Sequence, residues 1–349
     1  MSSLTGIALI GLGSIGAASF YVPFKKVKLW AWESYWITQG IAAWIIIPWL
    51  FAYITVPKGE LMAILGEAPK SAALYAVFFG MLWGVGGLTF GLSIRFLGIA
   101  LGQSIALGLC AAFGTLIPPI VAGTNLFATP AGILTMTGVA ICIAGIVVIG
   151  YAGALKSKGM SEEERKAAVK EFALKKGLLI AILAGIMSAC FNFGFQAATP
   201  IESIAMAHGT PVLYLKNPSL IFILFGGFIT NLLYCAYLNI KNKTYRDYIT
   251  SSPALLLNNI LFSFLAGTLW FLQFHFFGMG SSMLPPGMAI FAWSILMALN
   301  IAISNIWGIL LKEWKGSSQK TMVILTAGIV ILILSVFVVQ IYTFIQQHQ

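Results

Sequence analysis

The chain has 349 residues, 59% of them hydrophobic and only 9% charged, with a mean hydropathy of +0.94. Soluble domains are roughly 45–50% apolar and about 25% charged, so these charges cannot cover a water-facing surface, and the same apolar excess excludes disorder. A formal net charge of +10 would point to nucleic acid in a soluble protein, but here it points to an anionic inner leaflet.

A membrane span needs about 20 apolar residues. Ten such windows recur, at about 4–23, 34–56, 72–94, 97–122, 131–153, 177–198, 212–238, 254–279, 286–311 and 321–344. The first follows Met-Ser-Ser-Leu-Thr, with no basic region before it, and reads as an uncleaved span rather than a signal peptide. The only strongly polar stretch runs from Lys156 to Lys176, between the fifth and sixth windows. There Ser161 precedes Glu162, Glu163 and Glu164, a helix start with acids at the positive end of its dipole. Lys170, Lys175 and Lys176 load the other end, giving a short amphipathic helix at the membrane surface.

Orientation follows from the basic residues. Loops after the odd-numbered spans hold seventeen Lys and Arg, including Lys25, Lys26, Lys28 and Arg95; loops after the even-numbered spans hold Lys58 and Lys70 only. The expected topology puts both termini outside and the Lys156–Lys176 segment in the cytoplasm.

The halves echo each other. Gly80, Leu82, Trp83, Phe90 and Gly91 recur 187 positions later as Gly267, Leu269, Trp270, Phe277 and Gly278. Ile15, Ala18, Phe20 and Phe24 recur 171 positions later as Ile186, Ala189, Phe191 and Phe195. Five spans is an odd number, so the second half must sit inverted with respect to the first. The expected fold is therefore an all-α integral membrane protein of ten transmembrane helices, built as two inverted five-helix repeats. Residues 1–153 form the first repeat, 154–176 a cytoplasmic linker, and 177–349 the second repeat. Inverted repeats of this kind build alternating-access transporters whose substrate binds near the midplane.

Cys110, Cys142, Cys190 and Cys235 lie in apolar runs without paired spacing, and His208, His275 and His348 are scattered, so neither a metal nor another cofactor is expected. The chain has no G-x-x-x-x-G-K-[ST], which argues against an ATP-driven pump. Uncharged polar and aromatic residues inside the spans are plentiful, among them Trp36, Gln39, Gln103, Asn192, Asn258, Asn300 and Asn305. Carboxamides donate and accept at once, as paired sugar hydroxyls require, and aromatic faces stack on the apolar side of such rings. The sugar-binding candidates are Trp83, Trp270, Gln273, Asn231, Asn259, Gln196 and Tyr21. Trp83 and Trp270 lead them, being mid-span at equivalent repeat positions, with Gln273 one turn from Trp270.

Nine of the ten acids fall in loops, which leaves Glu33 at the edge of span 2, flanked by Trp30, Trp32 and Trp36. Glu33 is the candidate proton-coupling group; His275 in span 8 is the alternative. Lys216 is read as reaching to the outer surface.

Several runs resemble the L-rhamnose–proton symporter family. They are Ala18-Ser19-Phe20-Tyr21-Val22-Pro23-Phe24-Lys25-Lys26-Val27-Lys28 with Trp30-Ala31-Trp32-Glu33, then Trp83-Gly84-Val85-Gly86, Arg95-Phe96-Leu97-Gly98, Leu269-Trp270-Phe271-Leu272-Gln273 and Leu311-Lys312-Glu313-Trp314. Glu171-Phe172-Ala173-Leu174-Lys175-Lys176-Gly177 is similar as well. The resemblance implies a ten-span carrier of the drug/metabolite transporter superfamily in the bacterial inner membrane, importing a 6-deoxyhexose with a proton. The chain departs from the family pattern at Gly87-Leu88-Thr89-Phe90-Gly91, where the family has Asn-x-Asn-Tyr-Gly, and at Gln39, Gln103, Lys216 and His275. These departures point to a rearranged sugar site.

The partners expected are a sugar, most simply L-rhamnose or a related deoxyhexose, a proton and the lipid bilayer, with no nucleic acid and a monomer as working unit. An exporter on the same fold is the competing reading, disfavoured by the mid-span carboxamides. A membrane enzyme would need clustered nucleophiles or acids at one face, and a channel would need a repeated pore-lining helix. The chain shows neither pattern.

Overall fold

The computed structural model describes residues 3–97, 99–159 and 174–347. Among them are ten helices long and apolar enough to cross a bilayer. Spans 1 to 5 are Ser3–Phe24, Trp32–Thr55, Lys70–Ser93, Ser104–Val121 and Pro130–Lys158. Spans 6 to 10 are Lys175–Ala207, Val212–Asn242, Pro253–Ser281, Gly287–Leu310 and Gln319–Gln346. This all-helical fold is the one expected: a helix satisfies its own backbone hydrogen bonds in hydrocarbon. The amphipathic helix expected after Ser161 and the position of His348 lie outside the described residues, as do the side chains of Arg95 and Gln103.

Local chemistry sets the ends. Thr129 caps span 5, its hydroxyl accepting from the Gly132 N–H, and Pro130 occupies the first turn. Ser318 caps span 10 by accepting from the Thr321 N–H. Pro118 and Pro119 end span 4 within a turn, and Gly123 then takes the left-handed conformation at φ 73°. Span 2 is irregular: residues Ile41–Ile46 form a π-helical segment. Short helices outside the expected windows cover Leu61–Glu67 and Arg246–Thr250, and span 6 continues past Ala198 through Thr199–Ala207.

The chain divides into two compact units, and each takes helices from both sequence halves. The compact units are thus a different division of the chain from the two expected five-span halves. The first unit comprises 1–11, 85–192 and 280–349. In it span 5 packs on spans 4 and 10 through small residues: a Cβ on Gly145 would meet Leu332, and one on Gly328 would meet Ile149. Spans 4 and 9 are tied by polar groups. The Trp293 indole donates to the Cys110 carbonyl at 3.2 Å, and the Thr115 and Ser294 hydroxyls meet at 2.7 Å. Asn192 of span 6 donates to the Gly114 carbonyl at 2.7 Å. All four cysteines are buried and unpaired.

The second unit comprises 12–84 and 193–279. Its helices approach closely at glycines. A Cβ on Gly80 of span 3 would collide with the Ile223 carbonyl of span 7, and one on Gly267 of span 8 with the Gln39 carbonyl of span 2. Gly13 and Gly16 of span 1 likewise seat the Gln273 and Leu269 carbonyls of span 8. Close backbone approach of this kind replaces the hydrophobic drive that lipid does not supply.

Candidate functional site

The second unit holds most of the polar and aromatic side chains singled out in the sequence. At its centre four tryptophans from spans 2, 3 and 8 touch. Trp44 stands edge-on to Trp36, Trp83 and Trp270, with ring centroids 6.2, 6.0 and 5.9 Å away. Trp83 and Trp270 lie 5.4 Å apart, tilted by 33°. The equivalent repeat positions therefore meet. At that spacing the two rings are in contact, and no third ring fits between them. Glycines shape the nest: Gly227 leaves room for the Trp83 ring and Gly40 for that of Trp44.

Two of the carboxamide candidates border this nest. Asn231 accepts from the Trp36 indole N–H at 3.0 Å and donates to the Gly227 carbonyl at 2.9 Å. Gln273 is buried and donates to the Trp270 carbonyl at 3.0 Å. The other two carboxamides, Asn259 and Gln196, and the candidate Tyr21 are placed elsewhere. Asn259 clamps the loop after span 1, accepting from the Lys28 N–H at 3.0 Å and donating to the Lys28 carbonyl at 2.7 Å. Gln196 is exposed near the turn into Thr199, whose hydroxyl its carbonyl accepts. Tyr21 is 57% exposed, its ring against Phe20 and Phe24.

Glu33 is buried at the start of span 2, where the helix dipole favours an acid. Its Oε1 accepts from Asn242 at 2.9 Å and from the Thr244 hydroxyl at 2.8 Å, both from the end of span 7 and the turn after it. Of the flanking tryptophans, Trp30 donates to Ser251 at 3.0 Å and packs on Tyr248, while Trp32 stacks on Trp36 at 5.2 Å. Asp247 completes this polar latch, accepting from the Ala31 N–H at 2.8 Å and from the Ser34 hydroxyl at 2.7 Å. By sequence Asp247 is one of the nine acids in loops, with nothing to set it apart. The pair Asn239 and Asn242, followed by Thr244, was the available signal, because three polar residues closing an apolar helix invite a partner.

His275 is buried near the other end of the unit, stacked on Tyr214 and edge-on to Phe51. The Thr55 hydroxyl donates to the Phe51 carbonyl and so accepts from Asn217 Nδ2, at 2.9 Å. That turns Asn217 Oδ1 towards His275 Nδ1, 3.1 Å away, which must carry the proton. In the neutral ring, Nε2 is then the atom free to titrate.

The same end carries charge. Lys216 near the start of span 7 pairs with Glu202 near the end of span 6, at 2.9 Å. His208 Nδ1 lies 2.7 Å from Glu60 and its Nε2 3.1 Å from Glu67, so both ring nitrogens face carboxylates. The hydrogen bonds to Glu60 and then Glu67 raise the His208 pKa above 6.5. A raised histidine pKa stabilises the folded chain fully at low pH, and the contribution disappears as pH climbs through the folded value. The melting temperature of the native chain should therefore exceed that of His208→Gln at pH 6, and the gap should shrink steadily towards pH 9. An equal gap at both pH values would show that the ring is not held as an imidazolium.

Ten spans and a nest of tryptophans bordered by Asn231 and Gln273 define a polytopic membrane protein with a polar, aromatic centre in one of its units. Comparison with known proteins specifies the class further. The family model described as L-rhamnose-proton symport protein matches residues 2–343. Proteins named L-rhamnose-proton symporter from Yersinia pestis (strain Pestoides F) and Yersinia pseudotuberculosis (serotype O:1b) are each 37% identical over 340 residues, 96% of this chain and 97% of theirs. The chain belongs to the L-rhamnose–proton symport protein family.

Proposed function

We propose that this protein imports L-rhamnose, or a closely related 6-deoxyhexose, together with a proton across the bacterial inner membrane by alternating access. The observation that carries the reading is the full-length match to symporters of that name. The nest of Trp36, Trp44, Trp83 and Trp270 beside Asn231 and Gln273 supports it chemically. Aromatic faces suit the C–H side of a deoxy sugar, and carboxamides suit its hydroxyls. The nest is complete within one chain, which favours a monomeric working unit.

Reciprocal packing supports the inverted repeat. Span 3 meets span 7 at Gly80, and span 8 meets span 2 at the equivalent Gly267. Exchanging the two five-span halves converts one contact into the other. The basic loops then put both termini outside, Glu33 at the cytoplasmic end and His208 at the outer end.

The deciding experiment is uptake of labelled L-rhamnose into proteoliposomes, with and without an imposed pH gradient. Uphill accumulation only with the outside acidic supports the reading, and indifference to both sugar and gradient ends it. In the same vesicles, sorted for native orientation, a cysteine placed at Ser157 should be modified only after permeabilisation. Trp270→Leu should weaken sugar binding, and unchanged binding in a folded variant would remove the tryptophan nest from the site.

A further inference from the structure

Two side chains of span 2 have no hydrogen-bond partner among the described residues: the Gln39 carboxamide, at both ends, and the indole N–H of Trp44 in the nest. Gln39 is fully buried and Trp44 is 2% exposed. A buried carboxamide with neither end bonded is costly, and more so in a membrane, where lipid offers no substitute. Such a group needs an account other than packing.

The surroundings supply one. Gln39 lies about one turn after Trp36 and two residues before the π-helical segment that carries Trp44. Segments of that kind break the regular hydrogen-bond ladder and occur often at functional sites. Across from it on span 8, Gly267 abuts the Gln39 carbonyl, and one turn earlier Ser263 is another buried hydroxyl without a partner. Spans 2 and 8 begin at the same end of the unit, where Trp30 bonds Ser251. Side chains lean towards the start of their helix. The Gln39 carboxamide thus leans in the direction in which Ser263 lies from Gly267.

We propose that Gln39 and the Trp44 indole N–H join Asn231 and Gln273 in reading the sugar's hydroxyls. The carboxamide would give and take one hydrogen bond with a vicinal hydroxyl pair, and Trp44 would donate to a further oxygen. This rests on the reading of the protein as a deoxyhexose carrier and makes Gln39 a determinant of which sugar is accepted. It also accounts for polar groups left unbonded in the structure: their partner arrives with the ligand.

The test uses the purified full-length protein, L-rhamnose and its singly deoxygenated analogues, with binding read by tryptophan fluorescence. Gln39→Met keeps the length of the side chain without its polar atoms, and Trp44→Phe keeps a ring without the N–H. Each should lower L-rhamnose affinity about 5- to 150-fold. The melting temperature without sugar should stay the same or rise, because an unbonded polar group has been replaced by an apolar one. One deoxy analogue should bind the native protein as weakly as L-rhamnose binds Gln39→Met, and should lose nothing further in that variant. Full L-rhamnose affinity in both variants overturns the proposal. So does a Gln39→Met protein that fails to fold, since Gln39 would then have a structural partner. Native protein that binds no sugar in this panel overturns the carrier reading itself, a result distinguishable from either of these.

Discussion

Glu33→Gln should bind sugar and exchange it across the membrane, yet fail to accumulate it against a gradient. The substitution removes one charge and little else. A glutamine carbonyl can still accept from Asn242 and Thr244, the two donors that meet Glu33 Oε1. Coupling requires that protonation of some group change either the affinity for sugar or the balance between inward- and outward-facing states. A side chain that is permanently neutral leaves that balance blind to pH, so the accumulation ratio under an imposed gradient should fall to about one. The latch around Glu33 is suited to this role because it joins the start of span 2 to the end of span 7. Ser34 and Ala31 bond Asp247, and Thr244 bonds both Glu33 and Asn239. Protonating Glu33 changes an acceptor at the centre of that junction. Normal pH-driven accumulation by Glu33→Gln would transfer the role to His275, whose Nε2 is the titrating atom once Nδ1 is committed to Asn217.

The spans were legible because hydrocarbon thickness imposes one length on every crossing, and that length shows in composition alone. Trp83 and Trp270 were legible for a different reason. Internal repetition marked them as equivalent, and the equivalent positions touch. Trp44 was not legible. In a regular helix it would sit about 80° around the axis from Trp36, eight residues on at 100° each, at the far edge of a shared stripe and two turns away. The π-helical segment Ile41–Ile46 widens the turn and brings the two rings within 6.2 Å. Nothing in the residue types there announces that change of pitch.

Asn259 illustrates the converse. In the sequence it is a carboxamide in an apolar window, indistinguishable from Asn231. Its function in the fold is set by Leu29, which takes the left-handed conformation at φ 61° in the loop after span 1. That loop leaves the Lys28 N–H and carbonyl without helical partners, and Asn259 supplies both. A polar side chain's duty in a span depends on which distant backbone comes within reach, and that is a property of packing rather than of spacing.

Gly80→Val and Gly267→Val should each prevent stable folding, and to a similar degree. At both positions a Cβ would overlap a backbone carbonyl oxygen on the facing helix, that of Ile223 for Gly80 and that of Gln39 for Gly267. A side chain in the way can rotate aside, whereas a helical carbonyl cannot move without breaking its own hydrogen bond. The two spans must therefore separate, and their remaining contacts go with them. Overpacking that side chains can absorb costs about 1–3 kcal/mol. A displaced backbone should exceed that range, a large share of the roughly 5–15 kcal/mol that holds a domain folded. Gly87→Ala is the control, because its Cβ would meet nothing within 4 Å and alanine favours the helix. The measurements are melting temperature in detergent and the amount of folded protein recovered from the membrane. If Gly80→Val melts with Gly87→Ala, spans 3 and 7 are not in backbone contact. If only one of the two valine variants is lost, the reciprocal packing that supports the inverted repeat is absent. Loss of both, with Gly87→Ala intact, would tie the echo between the sequence halves to one contact made twice, once by each half.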